Sequence, residues 1–534
     1  MTGAARMSEA LHDIRRPIYV VKSDGEFAFG VGGTAVLGAD AASEEEKGAS
    51  ADGRWPVVGY VPACGLEDLG DPSLCADHGI RYPYLSGSMA TGISSVEIVA
   101  EMGRRGCLGF FGAAGLAPAE VEAAIDRISR ELGPLPYGFN LIHSPAEPDL
   151  EAGIVDLYIR KGVRLVEAAA FLDLTLPVVR YRVHGIHRDA AGEVVAPNRI
   201  IAKASRVEVA SKFFAPPPQQ LLRELAAAGG ISPEQARMAE EIPMAQDLTA
   251  EADSAGHTDN RSLVDLLPTM TALRDRMQAR HRFKSRLRVG AAGGIGTPAA
   301  AAAAFSMGAA YVLVGSVNQA CVEAGTSDAV REMLAQAGQA DTAMAPAADM
   351  FEMGVKVQVL RRGTMFAMRA ARLYETYRAY DGIEAIPAAE RKRLEAELFR
   401  ASLDDVWART REYFHERDPE QVSLAERDPK HRMALVFRWY LGRASRWATA
   451  GELARRIDYQ VWCGPAMGAF NEWTKGTFLA DRRGRKVSVV AMNILFGAAV
   501  QMRLIMLRNQ GVALPDEAAR IRPLEPRVLE EYLG

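Results

Sequence analysis

No CxxC pair occurs in the chain, and its five cysteines, Cys64, Cys75, Cys107, Cys321 and Cys463, are an odd and scattered set. They give neither a disulfide framework nor a thiolate zinc site, so no metal is expected and a reducing cytoplasm is the simplest home. A surplus of one charge is missing too. With 63 Lys and Arg against 67 Asp and Glu, the net charge of −4 offers no footprint for nucleic acid. The N-terminus carries no charged-then-apolar signal segment. Long apolar runs are scarce: the one candidate, Val487 to Leu507, is interrupted by Asn493, Gln501 and Arg503, within about the 20 residues that a membrane span needs. It is expected to be a buried helix that closes a helical domain, with no membrane.

What the chain does have is length and apolar residues. At 534 residues and 49% hydrophobic it exceeds one ordinary core and implies two or more domains. The most informative stretch runs from Arg288 to Gln319 and reads as strand, glycine turn, helix and second strand. Gly293, Gly294 and Gly296 permit close approach to an anion, Thr297 suits an N-cap and Pro298 the first helical position. The alanine run Ala299 to Ala304 makes a helix that packs close to a sheet with its positive end at the turn. A second glycine, Gly315, closes the next strand. Such a turn is equally an ordinary strand-to-helix connection or a phosphate cradle.

Strand counting discriminates between these. Apolar strands are expected at residues 82–86, 107–112, 137–142, 163–170, 199–204, 242–249, 287–292 and 311–315, with helical patterns such as 94–104 and 118–132 between them. Eight strands alternating with helices predict a closed parallel (β/α)8 TIM barrel, whose phosphate site lies after strands seven and eight. The expected division is a β appendage and linker (1–55), a barrel (56–345, with insertions near 176–198 and 205–243) and a C-terminal helical domain (346–534). Residues 1–16 read as frayed, Pro17 to Thr34 as a hairpin, Ala39 to Gly53 as a solvated linker and Val57 to Gly79 as turn-rich.

The predicted strand ends carry polar groups: Ser86 to Ala90, Gly109 to Gly112, Asn140, Lys203 and Glu251 to His257. His257 follows a run of small residues and is a candidate proton or hydrogen-bond donor. The other eight histidines (12, 78, 143, 184, 187, 281, 415 and 431) read as polar surface residues. Lys203 is equally a ligand contact or a strand-end lysine reaching for water, and Asp253 a turn cap.

On these residues the barrel resembles the superfamily of FMN-dependent nitronate monooxygenases and flavin enoyl-ACP reductases. Asp253-Ser-Ala-Gly-His257 matches its glycine-histidine signature, with Ala255 where glycine is usual. Ala291 to Ile295 matches its AAGGI stretch, and Val314-Gly315-Ser316 its second phosphate-binding strand end, with Ser316 where threonine is common. Roughly residues 17 to 515 resemble the PfaD-like trans-acting enoyl reductases of polyunsaturated fatty acid and trans-acyltransferase polyketide synthases. The blocks concerned include GIRYPYLSGSMATGISS (79–95), EADSAGHTDNR (251–261), GVKVQVLRRGTMFAMRA (354–370), DPKHRMALVFRWYLG (428–442) and DYQVWCGPAMGAFNEW (458–473).

The resemblance implies an FMN enzyme with NADPH as donor and an enoyl thioester on an acyl carrier protein as acceptor. By analogy Gly293, Gly294, Gly315 and Ser316 would hold the FMN phosphate. Met89, Ala90, Asn140 and Lys203 would contact the ring or ribityl chain, Gly256 and Ala292 would belong to the same cofactor site, and His257 would stand beside the substrate. An FMN-dependent monooxygenase or oxidase of nitronate-like acids and a non-catalytic flavin-binding docking subunit of a synthase remain as alternatives.

Beyond the barrel, residues 350–378 and 388–415 read as helices. Between Lys356 and Arg446 there are 19 Lys or Arg against 14 Asp or Glu, either a solvated helix face or a docking surface for an acidic carrier, with Arg361 and Arg362 as its probe. Residues 458–475 read as core and turn, with a wall of an acyl pocket as the other reading. A homodimer through the helical part is a further expectation.

Overall fold

The computed structural model describes residues 3–23, 26–32, 55, 57–145 and 148–533. The expected linker at 39–53 lies outside them. At the N-terminus, α1 (Ala4–His12) precedes an antiparallel sheet of β1 (Ile18–Ser23), β2 (Glu26–Gly30) and β3 (Val57–Val61), ordered β2-β1-β3. The hairpin is where the sequence put it. The helix was not foreseen, although Met7, Ala10, Leu11 and Ile14 recur at helical spacing and are all buried.

The barrel follows. α2 (Pro72–His78) leads into β4 (Tyr84–Ser86), α3 (Val96–Arg104), β5 (Leu108–Phe111), α4 (Pro118–Leu132), β6 (Gly138–Ile142), α5 (Pro148–Lys161) and β7 (Leu165–Ala169). Residues 176–198 hold α6 (Leu176–Val183) and a short hairpin of β8 (His187–Arg188) and β9 (Val194–Val195). After β10 (Arg199–Ala204) come α7 (Val207–Phe213), α8 (Gln219–Ala227) and α9 (Pro233–Ala239), which fill residues 205–243. Then β11 (Asp247–Glu251), α10 (Leu263–His281), β12 (Arg288–Ala292), α11 (Pro298–Ser306) and β13 (Val312–Val314) complete it. Eight parallel strands close in the order β4-β5-β6-β7-β10-β11-β12-β13.

The sixth barrel strand begins five residues later than the sequence suggested. Pro243 has no N–H for a ladder, and the N–H groups of Met244 and Ala245 donate to Ala215 and Phe213 at the end of α7 instead of to a neighbouring strand.

Apolar side chains fill the barrel, among them Leu85, Phe110, Ile201 and Leu313, with Leu74 of α2 in the same cluster. The plug is locked electrostatically. Fully buried Arg288 donates to Asp247 at 2.6 Å and to Asp77 at 2.7 Å, and His78 Nε2 lies 2.8 Å from Asp247. His78 is therefore a buried structural residue, because the strand that carries Asp247 runs under α2 and not past solvent. Burial pushes the Asp247 carboxyl up, but His78 and Arg288 outweigh it and hold its pKa at about 2. Because this is below the unfolded value of about 3.9, the stabilisation is complete above that value and is lost as pH falls towards 2. Asp247→Asn is expected to cost about 3–5 kcal/mol at neutral pH, seen as a lowered thermal midpoint; an unchanged midpoint would remove the lock.

After the barrel come α12 (Ser316–Gln319), α13 (Asp328–Ala335), an antiparallel pair β14 (Thr342–Pro346) and β15 (Lys356–Leu360), and then α14 (Phe366–Ala379) and α15 (Ala388–Leu394). α16 (Leu403–Arg417), α17 (Pro419–Arg427), α18 (Pro429–Ala450), α19 (Ala466–Thr474), α20 (Val487–Asn509) and α21 (Pro526–Leu533) finish the chain. The helix expected over 350–378 starts only at Phe366: residues 351–354 are turn and 356–360 are β15, in which Val357 and Val359 alternate with Lys356 and Gln358 and are buried. The helix expected over 388–415 is broken at Arg400, which has φ +54°, and Ser402 then caps α16 by accepting from Asp405 N–H.

α20 is the one helix long and apolar enough to cross a membrane among the described residues, and most of it is buried. It does not close the helical region; it lies along α11 on the barrel, so close that a Cβ on Gly497 would come within 2.5 Å of Pro298. Its polar residues explain themselves. Asn493 bonds both backbone groups of Leu524, and buried Arg503 donates to the carbonyls of Asp13 and Arg16.

Candidate active site

The C-terminal ends of the barrel strands open into a cavity of about 700 Å³. The residues that the resemblance implies for the cofactor site and for catalysis all line it: Met89, Ala90, Asn140, Lys203, Gly256, His257, Ala292, Gly293, Gly294, Gly315 and Ser316. Segments far apart in sequence converge there because parallel strands all end on the same face.

One wall is the double glycine turn. Gly293 and Gly294 have φ +83° and +75°, Thr297 accepts from Ala300 N–H and Pro298 opens α11. A Cβ on Gly293 would come within 2.6 Å of the Ala252 backbone. The N–H groups of Gly294, Gly315 and Ser316 have no protein acceptor among the described residues, so three donors remain for an anion. Ser316 Oγ accepts from Gly464 N–H at 3.0 Å, and its own hydroxyl hydrogen is not used by that bond.

The Met89–Ala90 loop forms another wall and is held backbone to backbone. Gly112 N–H donates to Ser94, Gly92 N–H to Gly112 and Thr91 N–H to Ala114. Gly112 is required there, because a Cβ would stand 1.7 Å from the Met89 carbonyl oxygen.

Below lies a buried polar network. Lys203 Nζ pairs with Glu251 at 2.8 Å, both nearly out of solvent, so Lys203 does not reach for water. Burial pulls its pKa down, but Glu251 and Glu167 together raise it above the ordinary lysine value. Glu167 is fully buried; burial raises its pKa against the pull of Lys203 and Ser88. Ser88 donates to it through N–H (2.9 Å) and hydroxyl, and Asn140 donates to Ser88 Oγ at 3.0 Å. One carboxylate oxygen of Glu167 has no hydrogen-bond partner among the described residues. Sequence reasoning missed Glu167: a glutamate inside an apolar strand was the available signal.

His257 Nε2 lies 3.1 Å from Asp349 Oδ1. Burial lowers the imidazole pKa, yet Asp349, joined by Glu251, raises it above the ordinary histidine value. Asp349 is in turn held below the usual carboxylate range, burial notwithstanding, by His257. With Nε2 anchored, Nδ1 has no protein partner among the described residues. Asp349 sits between β14 and β15, 92 residues from His257, and nothing local marked it. Asp253, read as a turn cap, accepts from Asn260 and also from Gln358 of β15 at 2.8 Å, pinning the histidine loop to the same hairpin.

The outer walls come from the C-terminal part. Tyr459 and Phe470 are core, as expected, but Gln460, Trp462, Gly464 and Ala466 line the cavity, so the 458–475 segment serves as both core and wall. A Cβ on Gly296 would meet the Ala466 carbonyl oxygen at 2.3 Å, which seats this segment on the glycine turn. Faces of α16 and α18 supply the rest. Arg361 and Arg362, the expected docking probe, do not line the cavity; Arg362 pairs with Asp341 at 3.3 Å.

The barrel and the C-terminal part both have matches among known proteins. Residues 72–401 match the family model of nitronate monooxygenase, and residues 380–459 that of the inserted helical domain of [acyl-carrier-protein] S-malonyltransferase. A polyunsaturated fatty acid synthase subunit of Thraustochytrium sp. is 50% identical over 456 residues, covering 84% of this chain and 30% of that protein. Polyketide biosynthesis protein PksE of Bacillus subtilis is 45% identical over 451 residues, covering 84% of this chain and 58% of that protein. The chain thus spans less than two thirds of the length of either relative. The crystal structure of the enoyl reductase domain of MlnA, from the macrolactin biosynthesis cluster of Bacillus amyloliquefaciens, superposes with a TM-score of 0.79 at 40% identity, covering 84% of this chain and 100% of that one.

Proposed function

Because the chain belongs to the nitronate monooxygenase family and is similar to the MlnA enoyl reductase domain, we propose that it is an FMN-dependent enoyl reductase. Its substrate would be an enoyl thioester delivered by an acyl carrier protein of a fatty acid or polyketide synthase, and its electron donor NADPH. The observation that carries this reading is the His257–Asp349 pair at the edge of a cavity with unpaired cradle N–H groups on its other side.

The residues present fit the cofactor. Gly294, Gly315 and Ser316 offer backbone donors to a terminal phosphate, and Gly293 keeps their approach open. Met89 and Ala90 provide a fixed backbone wall for a flat ring, with Asn140 and Lys203 as polar contacts below it. FMN bound there would supply the hydride for the β-carbon of the enoyl thioester, replenished from NADPH.

As the β-carbon gains hydride, negative charge builds on the thioester oxygen and a proton is needed at the α-carbon. His257, whose protonated form Asp349 favours, would donate to that enolate through Nδ1, as hydrogen-bond donor or general acid. Glu251 and Glu167 favour the charged form of Lys203, and their carboxylates offset its charge.

A pH test follows. Activity that needs protonated His257 is present at low pH and falls as pH rises through its elevated pKa. Asp349→Asn removes the largest influence raising that pKa and leaves the burial that lowers it, so the falling limb is expected to move to more acid pH. An unmoved limb in kcat would separate the pair from catalysis.

The activity is tested anaerobically: protein, FMN and NADPH are mixed, then a crotonyl thioester is added. Flavin reoxidation by the thioester is the expected result. Reoxidation only on admitting oxygen would favour a nitronate-type oxidase, and failure of NADPH to reduce the flavin would favour a non-catalytic flavin-binding subunit.

A further inference from the structure

The outer end of the cavity differs in charge from its inner end. Its inner carboxylates all have partners: Glu251 holds Lys203, Asp349 holds His257, Asp253 accepts from Asn260 and Gln358, and Glu151 pairs with His143. The outer walls, α16 and α18, contribute Arg409, Arg417, Arg438, Arg443 and Arg446 to the lining and no carboxylate. Arg438 is paired with Glu352 at 3.3 Å. Arg409, Arg443 and Arg446 have no carboxylate partner among the described residues.

Two of the three are already directed by neighbours. The Arg443 guanidinium lies over the Trp439 ring, 5.9 Å from its centre, and Arg446 Nη2 reaches the Gly115 carbonyl, on the loop after β5, at 3.4 Å. Arg443 and Arg446 are i, i+3 neighbours on α18 and Arg409 lines the same cavity from α16, and each retains N–H donors in a fork suited to phosphate oxygens. An anion bound among them would satisfy those donors.

We propose that Arg409, Arg443 and Arg446 form a subsite for a phosphate ester at the outer end of the cavity, for a ligand whose other end reaches the His257 region. The inference rests on the enoyl reductase reading for its choice of ligand. Two ligands of that reading carry the group: a thioester on a phosphopantetheine arm and NADPH.

The test is a calorimetric titration with FMN-loaded protein. Crotonyl-phosphopantetheine, crotonyl-pantetheine without the phosphate, and NADPH are each titrated into wild type and into the triple variant Arg409→Ala, Arg443→Ala, Arg446→Ala. Wild type is expected to bind the phosphorylated thioester about tenfold or more tightly than the dephosphorylated one, a preference that shrinks with added salt. The variant should lose the preference and keep its affinity for the dephosphorylated thioester. If it loses affinity for NADPH alone, the phosphate subsite stands and belongs to the electron donor. Wild type that does not distinguish the two thioesters, with NADPH affinity unchanged in the variant, overturns the subsite; the wild-type comparison holds even if the variant misfolds. A wild type that shows the preference but reduces no enoyl thioester overturns the activity reading and leaves the subsite standing.

Discussion

His257→Ala is expected to lower turnover of an enoyl thioester by about 10²- to 10⁴-fold, the usual contribution of a positioned proton donor, while flavin stays bound. The two effects separate because His257 is paired with Asp349 and not with the glycine turn. Its Nδ1 has no protein partner among the described residues, so its removal leaves the fold's hydrogen bonds intact apart from the one to Asp349. His257→Gln, which keeps a donor but not a transferable proton, should recover part of the loss if the role is hydrogen bonding and none if it is proton transfer. Turnover at the wild-type rate in the alanine variant, with flavin content unchanged, would take His257 out of the mechanism.

Gly293→Val is expected to yield protein with little or no bound flavin. Two costs add at that position. A φ of +83° disfavours any side chain by about 1–2 kcal/mol, and the new Cβ would stand 2.6 Å from the carbonyl carbon of Ala252, where only movement of the backbone makes room. Together about 3 kcal/mol of strain would open the cradle, an affinity loss of about a hundredfold. Gly294→Ala is the informative contrast: its φ of +75° carries the same strain, but nothing lies within 4 Å of its Cβ. Visible absorbance of the purified proteins reads the outcome. Equal flavin content in Gly293→Val and wild type would mean that the turn holds no phosphate.

Much of this site was legible in the sequence because its parts obey local rules. Glycine after a buried strand, followed by Thr297 and Pro298 before an alanine run, permits little else than a tight turn into a close-packed helix, and Pro298 and Thr297 do what their types predict. Alternation of apolar strands with helices counted out the eight strands. Failures came where local pattern was misweighed, as at β15, or where a polar residue in a strand was overlooked, as at Glu167.

What the sequence by itself determined was therefore the barrel, the glycine turn and the position of His257, since each depends on spacing within a few residues and on the common direction of parallel strands. Only the tertiary structure decided that Asp349 anchors His257, that Lys203 answers to Glu251 and Glu167, that His78 is buried under the barrel, and that arginines of α16 and α18 line the same cavity. Charges and hydrogen-bond donors choose partners by distance in space and by how much water has been excluded, and neither is a function of separation along the chain.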